Sequence, residues 1–532
     1  MPEGIAGPTV GFELDGRPVE VADDGSSLLE VLRDRLLVRS PKDGCSPQGQ
    51  CGCCTVLVDG APRVSCVTPA RRIDGRTVTT LDGLDPAERS AWADAFTATG
   101  ASQCGFCTPG IIMRLAAIGG TDRPIPPADT ERALRAHLCR CTGWRTIAEA
   151  AASVGTPRGM DRDLDAAACR AALEGGVPQR VGPEVALGGG GFADDGAPPD
   201  ALVAVSDGAG GWTVRETLHE ARQASGKVQG RRSTVGATPP LEVPEGDWAL
   251  TLRTSWVEPA YLETDASWCE PGGEPATPLA NGGAFGGKAS SPVAAAARRL
   301  ADEAGRPVRV LLSREDTVRL GPKRPPIAAG LRDDGSGVVR AVRTDGLAEA
   351  MASYAPKLDV EEVDVAGPPT SMAVRAAGWA EAAVLDAALR GRAGPVVAPN
   401  GAVAEAEILD GTIRVSVSCG SPLDEVVLRS YCVGAAHMAL GWVTSEGLGI
   451  DDGEVCDLTV RSFGILPATD MPEVEVAVEA SDRDPVGGSD AVFAAVASAV
   501  WLAEGCPPSW PTGRLPDELI DAGSPAVGEE HP

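Results

Sequence analysis

Histidine is scarce, with four in 532 residues: His137, His219, His437 and His531. No two stand at a metal-ligand spacing, so a histidine-built metal centre is excluded and each reads as structural. Basic side chains are also few, 47 against 75 acidic ones, for a net charge of −28. That balance excludes nucleic acid and anionic membrane surfaces as natural partners. Long apolar runs are missing. The longest nearly apolar stretch, Tyr431 to Val443, falls short of the about 20 residues that span a bilayer, so no membrane segment is expected. Met1 to Leu14 has neither the basic start nor the apolar core of a secretory signal, so a cytoplasmic location is expected.

What remains is ample for folding. Apolar residues make up 43% and charged residues 23%. At roughly 150 residues per domain, the length suggests three or four domains. Cysteine is unevenly placed, with nine of the fifteen between Cys45 and Cys141. An odd total without a signal argues against a disulfide framework. Clustered cysteines in a reducing compartment bind metal or do redox work. Charge is uneven in the opposite sense: the first 150 residues are close to neutral, and the acidity belongs to the rest.

Val10 to Val21 alternates apolar and polar residues around Asp15-Gly16, which predicts a β-hairpin. Ser26 or Ser27 can cap a helix over Leu28–Leu37. Ser40 to Cys54 is a Gly-, Ser- and Cys-rich loop, Thr55 to Val58 a short strand, and Asp59-Gly60 the next turn. From Asp85 the pattern turns helical: one helix after Asp85, one over Ile111–Ile118, one over Glu131–Leu138 capped by Asp129, and one following Cys141 through Ala152. Residues 156–224, rich in Gly, Pro, Ala and Asp, read as a linker. Beyond it, Trp248–Trp256, Val308–Ser313 and Ile413–Ser418 read as strands, and Val293–Ala304, Ala380–Leu389 and Asp490–Ala503 as helices.

The cysteines form two groups. Cys45-x5-Cys51-x2-Cys54-x11-Cys66 is one residue longer in its first gap than the plant-type ferredoxin spacing. Soft thiolates suit iron, and Gly44, Gly49 and Gly52 let backbone N–H groups approach sulfides. Cys54, which enters a strand, suits the third position better than Cys53, a spare thiol. Cys104-x2-Cys107-x31-Cys139-x-Cys141 places two pairs at two helix junctions. Spacing alone leaves this second group open between a [2Fe–2S] cluster and zinc, and zinc is the alternative for the first group too.

Gly49-Gln50-Cys51-Gly52-Cys53-Cys54-Thr55-Val56, Gln103-Cys104-Gly105-Phe106-Cys107-Thr108-Pro109-Gly110 and Cys139-Arg140-Cys141-Thr142-Gly143 resemble the iron–sulfur part of the xanthine dehydrogenase/aldehyde oxidase family of molybdenum hydroxylases. The resemblance implies two [2Fe–2S] clusters, one in a β-grasp ferredoxin domain over 8–84 and one in a four-helix domain over 85–155. It also implies that Gln103 touches the pterin of a molybdenum–molybdopterin cofactor, in its plain or cytosine dinucleotide form.

Gly282-Gly283-Ala284-Phe285-Gly286-Gly287-Lys288 resembles the family's glycine-rich loop at molybdenum, with Ala284 in place of one glycine. On its own such a turn is a weak signal, since many are plain turns. Tyr261-Leu262-Glu263-Thr264 resembles the segment whose glutamate faces substrate. Gly305 to Arg309 and Ser313 to Asp316 resemble the passage that follows the glycine loop. Ala373-Val374-Arg375-Ala376-Ala377-Gly378 resembles the loop beside the cofactor, and Pro467 to Pro472 a late loop of the same domain. The resemblance thus extends to an α+β multidomain chain whose residues 225–515 are a molybdopterin-binding domain, shorter than the family's usual molybdenum subunit. By resemblance, Gly283, Ala284, Phe285, Gly286 and Arg375 contact the cofactor.

One departure bears on chemistry. The family's catalytic base is a glutamate in a Gly-Val-Gly-Glu segment. Here Pro485-Val486-Gly487-Gly488-Ser489-Asp490 stands there, with Gly488 in the glutamate's place. Asp490 is either a substitute base or a helix cap. The resemblance implies an oxidoreductase that hydroxylates a small-molecule substrate, an aldehyde or purine-like N-heterocycle, with water. Its electrons leave through the clusters to a separate FAD-binding subunit, because no FAD domain is evident. The alternative is an electron-transfer subunit whose degenerate cofactor module scaffolds a further molybdenum subunit. The third reading is a zinc-stapled interaction protein. On residues alone, Glu258 and Glu263 would be surface carboxylates and Lys323-Arg324 a solvated turn.

Overall fold

The computed structural model describes residues 8–156, 162–227, 233–277, 282–288 and 290–520. His531 lies outside them.

The first unit is a five-stranded sheet of order β2-β1-β5-β3-β4, built from β1 (Thr9–Leu14), β2 (Arg17–Ala22), β3 (Thr55–Val58), β4 (Ala61–Val64) and β5 (Thr77–Thr79). Val10, Phe12 and Leu14 alternate inward from β1. Asp15-Gly16 and Asp59-Gly60 close the two hairpins with positive φ at both residues, as tight two-residue turns require. The helix α1 (Leu28–Glu30), continued as a wider turn over Val31–Arg35, starts on a capping box in which Ser27 and Glu30 exchange hydrogen bonds. It buries Leu28, Val31 and Leu32 against this sheet.

Four helices follow: α2 (Pro86–Thr99), α3 (Thr108–Ala116), α4 (Pro127–Leu134) and α5 (Arg145–Ser153). Asp85 caps α2, accepting from the amides of Ala87 and Glu88. Asp129 does not cap α4. Pro126 and Pro127 start that helix four residues earlier, because proline suits the first helical turn, and it ends at Leu134.

The described residues of 156–224 are not a linker. They carry α6 (Leu164–Gly175), α7 (Pro183–Ala186), β6 (Leu202–Ser206), β7 (Trp212–Arg215) and α8 (Leu218–Ser225). The composition that suggests a spacer is in part an alanine-rich helix, which Asp163 caps and Gly176 ends in a left-handed conformation. Within the four-glycine run, close approach requires Gly190: a Cβ there would overlap the Cys104 carbonyl oxygen.

β6 and β7 belong to a mixed sheet of order β7-β6-β10-β9, with β9 (Ala266–Cys269) and β10 (Val308–Leu311) following β8 (Leu250–Arg253) in sequence. α9 (Val293–Ala304) covers this sheet, and α10 (Arg314–Leu320) follows it. A second four-stranded sheet, β13-β12-β11-β8, adds β11 (Ile327–Leu331), β12 (Gly337–Val342) and β13 (Leu358–Val363), with α11 (Leu347–Tyr354) between the last two and α12 (Trp379–Arg390) after them. A third, β14-β15-β16-β19, is made of β14 (Val396–Val397), β15 (Val403–Leu409), β16 (Thr412–Ser418) and, beyond the short β17 (Ile450–Asp451) and β18 (Glu454–Val455) hairpin, β19 (Glu473–Val478).

Two apolar helices, α13 (Glu425–Thr444) and α14 (Ser489–Ala503), form the centre. α13 is long and apolar enough to cross a membrane, but it is buried inside the protein. It docks on the second cysteine group by backbone contact: a Cβ on Gly434 would overlap the Cys141 carbonyl oxygen. Lys323 and Arg324 are not in a solvated turn. Both are buried, paired with Glu258 at 2.8 Å and Glu381 at 2.8 Å, and Arg324 stacks over Trp442.

Candidate functional site

The first cysteine group forms where the loop before β3 folds back under the β3–β4 hairpin. The Cys45 thiol contacts those of Cys51 and Cys66, and Cys66 contacts Cys54. The amides of Gln48, Gly49 and Gln50 all donate to Cys45 Sγ, at 3.2, 3.1 and 3.4 Å. Gly49 and Gly52 permit this curl through positive φ. Hydrogen bonds from Cys51 and Cys66, with those amides behind them, hold the Cys45 thiol well below its ordinary range. The same contacts push Cys51 and Cys66 up. Arg314, far along the chain and fully buried, donates to the Gly44 carbonyl at 2.5 Å and fixes the loop from outside.

The second group sits at the starts of α3 and α5. Cys139 contacts Cys107 and Cys141, and Cys141 Sγ lies 3.6 Å from Cys104 Sγ. Thr142 Oγ1 is 3.1 Å from Cys139 Sγ. The structure therefore brings the eight expected cysteines into two sets of four. Cys53 is fully buried, touches the Cys51 thiol and faces the second set. α3 packs straight onto this strip, since a Cβ on Gly110 would overlap the Gly52 carbonyl oxygen.

Beside the second set, Gln103 Nε2 donates to Cys141 O and Ser430 Oγ, both at 2.9 Å. Its Oε1 is buried without a partner, an acceptor that lacks its donor. The space next to it is only about 10 Å³, and Tyr431 lines it. Burial, with Cys141 and Cys104 nearby, pushes the Tyr431 phenol well above its ordinary value. Its ring centroid lies 6.2 Å from that of Phe285, in an edge contact.

Phe285 opens the larger space, a cavity of about 320 Å³ lined by Ala284, Phe285 and Gly286 of the glycine loop and by Lys288, Arg375 and Asp490, together with Glu174 at the end of α6. The glycine loop and the Arg375 loop touch through backbone: a Cβ on Gly286 would overlap the Ala373 carbonyl oxygen, and the Arg375 amide donates to Phe285 O at 3.1 Å. Arg375 Nε donates to Asp490 Oδ1 at 3.0 Å and Nη2 to Ser489 Oγ at 2.9 Å, with the guanidinium 4.2 Å from the Phe285 ring centroid. The Arg375 side chain is 2% exposed and that of Asp490 43%. Asp490 does not cap α14. The helix begins at Ser489, and Glu174 accepts from its first amides instead.

Glu263 does not face this cavity, contrary to expectation. It is buried rather than on the surface, and its Oε2 lies 2.8 Å from Lys288 Nζ, so Lys288 stands between it and the cavity. Gln103 is likewise set apart from the cavity, behind Tyr431. Sequence reasoning missed Glu174, Arg170 and Tyr431. The helical signal from Asp163 to Gly176, with Arg170 and Glu174 one turn apart, could have revealed the first two.

Residues 80–152 match the [2Fe-2S] binding domain family, and residues 276–358 match the molybdopterin cofactor-binding domain family. The xanthine dehydrogenase iron-sulfur-binding subunit of Escherichia coli O157:H7 is 41% identical over 143 residues, 26% of this chain and 89% of that protein. The nicotinate dehydrogenase small FeS subunit of Eubacterium barkeri is 37% identical over 143 residues, 26% of this chain and 89% of that protein. The aldehyde oxidoreductase from Desulfovibrio gigas superposes with a TM-score of 0.67 at 13% identity, covering 92% of this chain and 97% of that one, which shows a shared multidomain α+β fold.

Proposed function

The chain belongs to the xanthine dehydrogenase/aldehyde oxidase family of molybdenum hydroxylases, and we propose that it hydroxylates an aldehyde or a purine-like N-heterocycle with water and passes the electrons out through two [2Fe–2S] clusters. The observation that carries this reading is the gathering of eight thiols into two sets of four, the second separated from a 320 Å³ cavity by the Tyr431–Phe285 contact. Cys45, Cys51, Cys54 and Cys66 would hold one cluster, and Cys104, Cys107, Cys139 and Cys141 the other. Four buried thiols with amides aimed at one sulfur suit iron held as thiolate. Gly283 to Gly286 and Arg375 would hold the molybdopterin, in its plain or cytosine dinucleotide form, while Gln103 Oε1, an unused acceptor, lies apart from them behind Tyr431.

When bound, the molybdenum cofactor supplies the oxygen transfer to carbon and takes up the electron pair. The chain's own residues position the substrate and move the proton. Arg375 holds the Asp490 carboxylate through Oδ1 in the cavity wall, and Oδ2 would be the atom to accept a proton. A well-placed base contributes about 10²–10⁴-fold in rate. Phe285, braced by Arg375, gives the cavity an apolar face for a planar substrate. None of the fifteen cysteines is paired in a disulfide, which suits the cytoplasm, and a separate FAD-binding subunit is the natural acceptor.

Two observations favour a second reading, an electron-transfer subunit with a scaffolding cofactor module. Gly488 stands where the family has its glutamate, and only about 10 Å³ is open beside Gln103. Purified protein separates them. The first reading expects one molybdenum and one pterin per chain, with aldehyde- or purine-dependent dye reduction that Asp490→Ala abolishes. Iron without molybdenum or pterin would favour the second.

A further inference from the structure

Helix α6 delivers a buried ion pair to the cavity wall. The Arg170 side chain is 0% exposed. Its guanidinium donates to Pro422 O at 2.9 Å, to Val486 O at 2.7 Å and to Ser421 O. It also pairs at 3.1 Å with Glu174 Oε1, one helical turn on, whose side chain is 0% exposed too. The Glu174 carboxylate accepts from Gly488 N at 3.0 and 3.1 Å and from Ser489 N at 2.9 Å. These amides begin the fifteen-residue α14, which has no side-chain cap of its own. A helix N-terminus presents unpaired N–H groups and a partial positive charge. Arg170 and that N-terminus together make an anion site, and Glu174 fills it from within the chain. Position 488 has little room for a side chain of its own, since a Cβ there would lie 3.0 Å from Val417 Cγ2 and 3.1 Å from Cys419 Sγ.

The amide that Glu174 holds belongs to the residue that holds Arg375. Ser489 Oγ accepts from Arg375 Nη2, and Arg375 Nε donates to Asp490. The path Arg170–Glu174–Ser489–Arg375–Asp490 runs along one wall of the 320 Å³ cavity, and Glu174, Arg375 and Asp490 all line it. We propose that Glu174 is a positioning residue: its carboxylate, bound at the start of α14, sets the Asp490–Arg375 pair at the cavity. The proposal rests on reading that cavity as the reaction chamber.

Removing the carboxylate while keeping the site around it gives the test. Glu174→Ala leaves Arg170 and two amides facing a carboxylate-sized gap just behind the cavity wall, which formate can fill and neutral formamide cannot. Hydrogen exchange is followed in the full chain across 370–377 and 486–492. The expected result is faster exchange in both segments in Glu174→Ala, reversed saturably by formate and not by formamide. In protein that turns over, kcat falls about 10²-fold with KM little changed, as for a misplaced group, and formate restores it. Glu174→Gln keeps the volume, so it serves if the alanine variant does not fold, and it too should loosen 370–377. Unchanged exchange at 370–377 in the variant that folds, or faster exchange in Glu174→Ala that formate does not reverse, overturns the proposal. Exchange that responds as expected in protein without turnover upholds Glu174 as the positioning group and overturns the hydroxylase reading instead.

Discussion

His437, in the middle of α13, is fully buried and joins Leu466 O through Nε2 at 2.9 Å. Burial drives its imidazole down from 6.5 to about 4, so it is neutral in the folded protein at pH 7. Above pH 6.5 neither state takes up the proton. Between 6.5 and 4 only the unfolded chain does, so stability falls across that window, by up to about 3 kcal/mol. Denaturant melts at pH 7.5 and 5 should show this loss in the wild type and a smaller one in His437→Gln. Cys53 is the other informative residue. It touches the Cys51 thiol yet stands outside the two sets of four. Cys53→Ser should leave the iron content unchanged, whereas Cys141→Ser should remove one cluster, as iron assay would record.

Among elements, α13 decides how the two halves meet. Gly434 brings it against the Cys141 carbonyl, and the carbonyl of Val433 approaches Gly143 from the same helix. Gly434→Ala places a methyl group on backbone that cannot rotate away. Overpacking of this kind costs about 1–3 kcal/mol. Thermal melting should show a lowered Tm, with the cluster beside Cys141 disturbed more than the other. The elements also differ in how readable they are. The Asp15-Gly16 hairpin, the α2 cap at Asp85 and the span of α9 were plain in the sequence, because each is set by neighbours a few residues away. α6 was not, because it lies in a Gly- and Pro-rich stretch and its decisive partners, Ser421, Pro422, Val486 and Gly488, are more than 240 residues distant. The cysteine sets were legible from spacing. The cavity was only partly so: Arg375, Asp490 and the glycine loop could be named, but that Lys288 shields Glu263 depends on a packing that no local pattern encodes.

Across the whole molecule, the nearly neutral iron–sulfur part is tied to the acidic remainder by buried ion pairs. Arg33 bonds Asp194 at 2.7 Å and Asp195 at 2.8 Å, Lys42 bonds Asp195, and Arg309 from β10 bonds Asp34 at 2.7 Å and Asp194 at 2.5 Å. Although burial opposes its charge, Arg309 and Arg33 hold the Asp194 carboxyl well below the usual carboxylate range. Its contribution is therefore complete at neutral pH and lost as pH falls below the ordinary carboxylate value. Asp194→Asn leaves two buried guanidinium groups short of a partner, a loss of about 3–5 kcal/mol. Calorimetry should show the first 80 residues melting ahead of the rest in this variant. The net charge of −28 also means that any partner accepting electrons should dock more tightly as salt rises, unless it presents a basic face.

Whether the eight cysteines hold two [2Fe–2S] clusters in one chain can be measured. Quantitative EPR of the dithionite-reduced protein, with iron counted on the same sample, tests it most directly. The expected result is four irons per chain and two distinguishable [2Fe–2S] signals, one of which disappears in Cys141→Ser while the other stays. Two irons with a single signal, or zinc in place of iron, would contradict it.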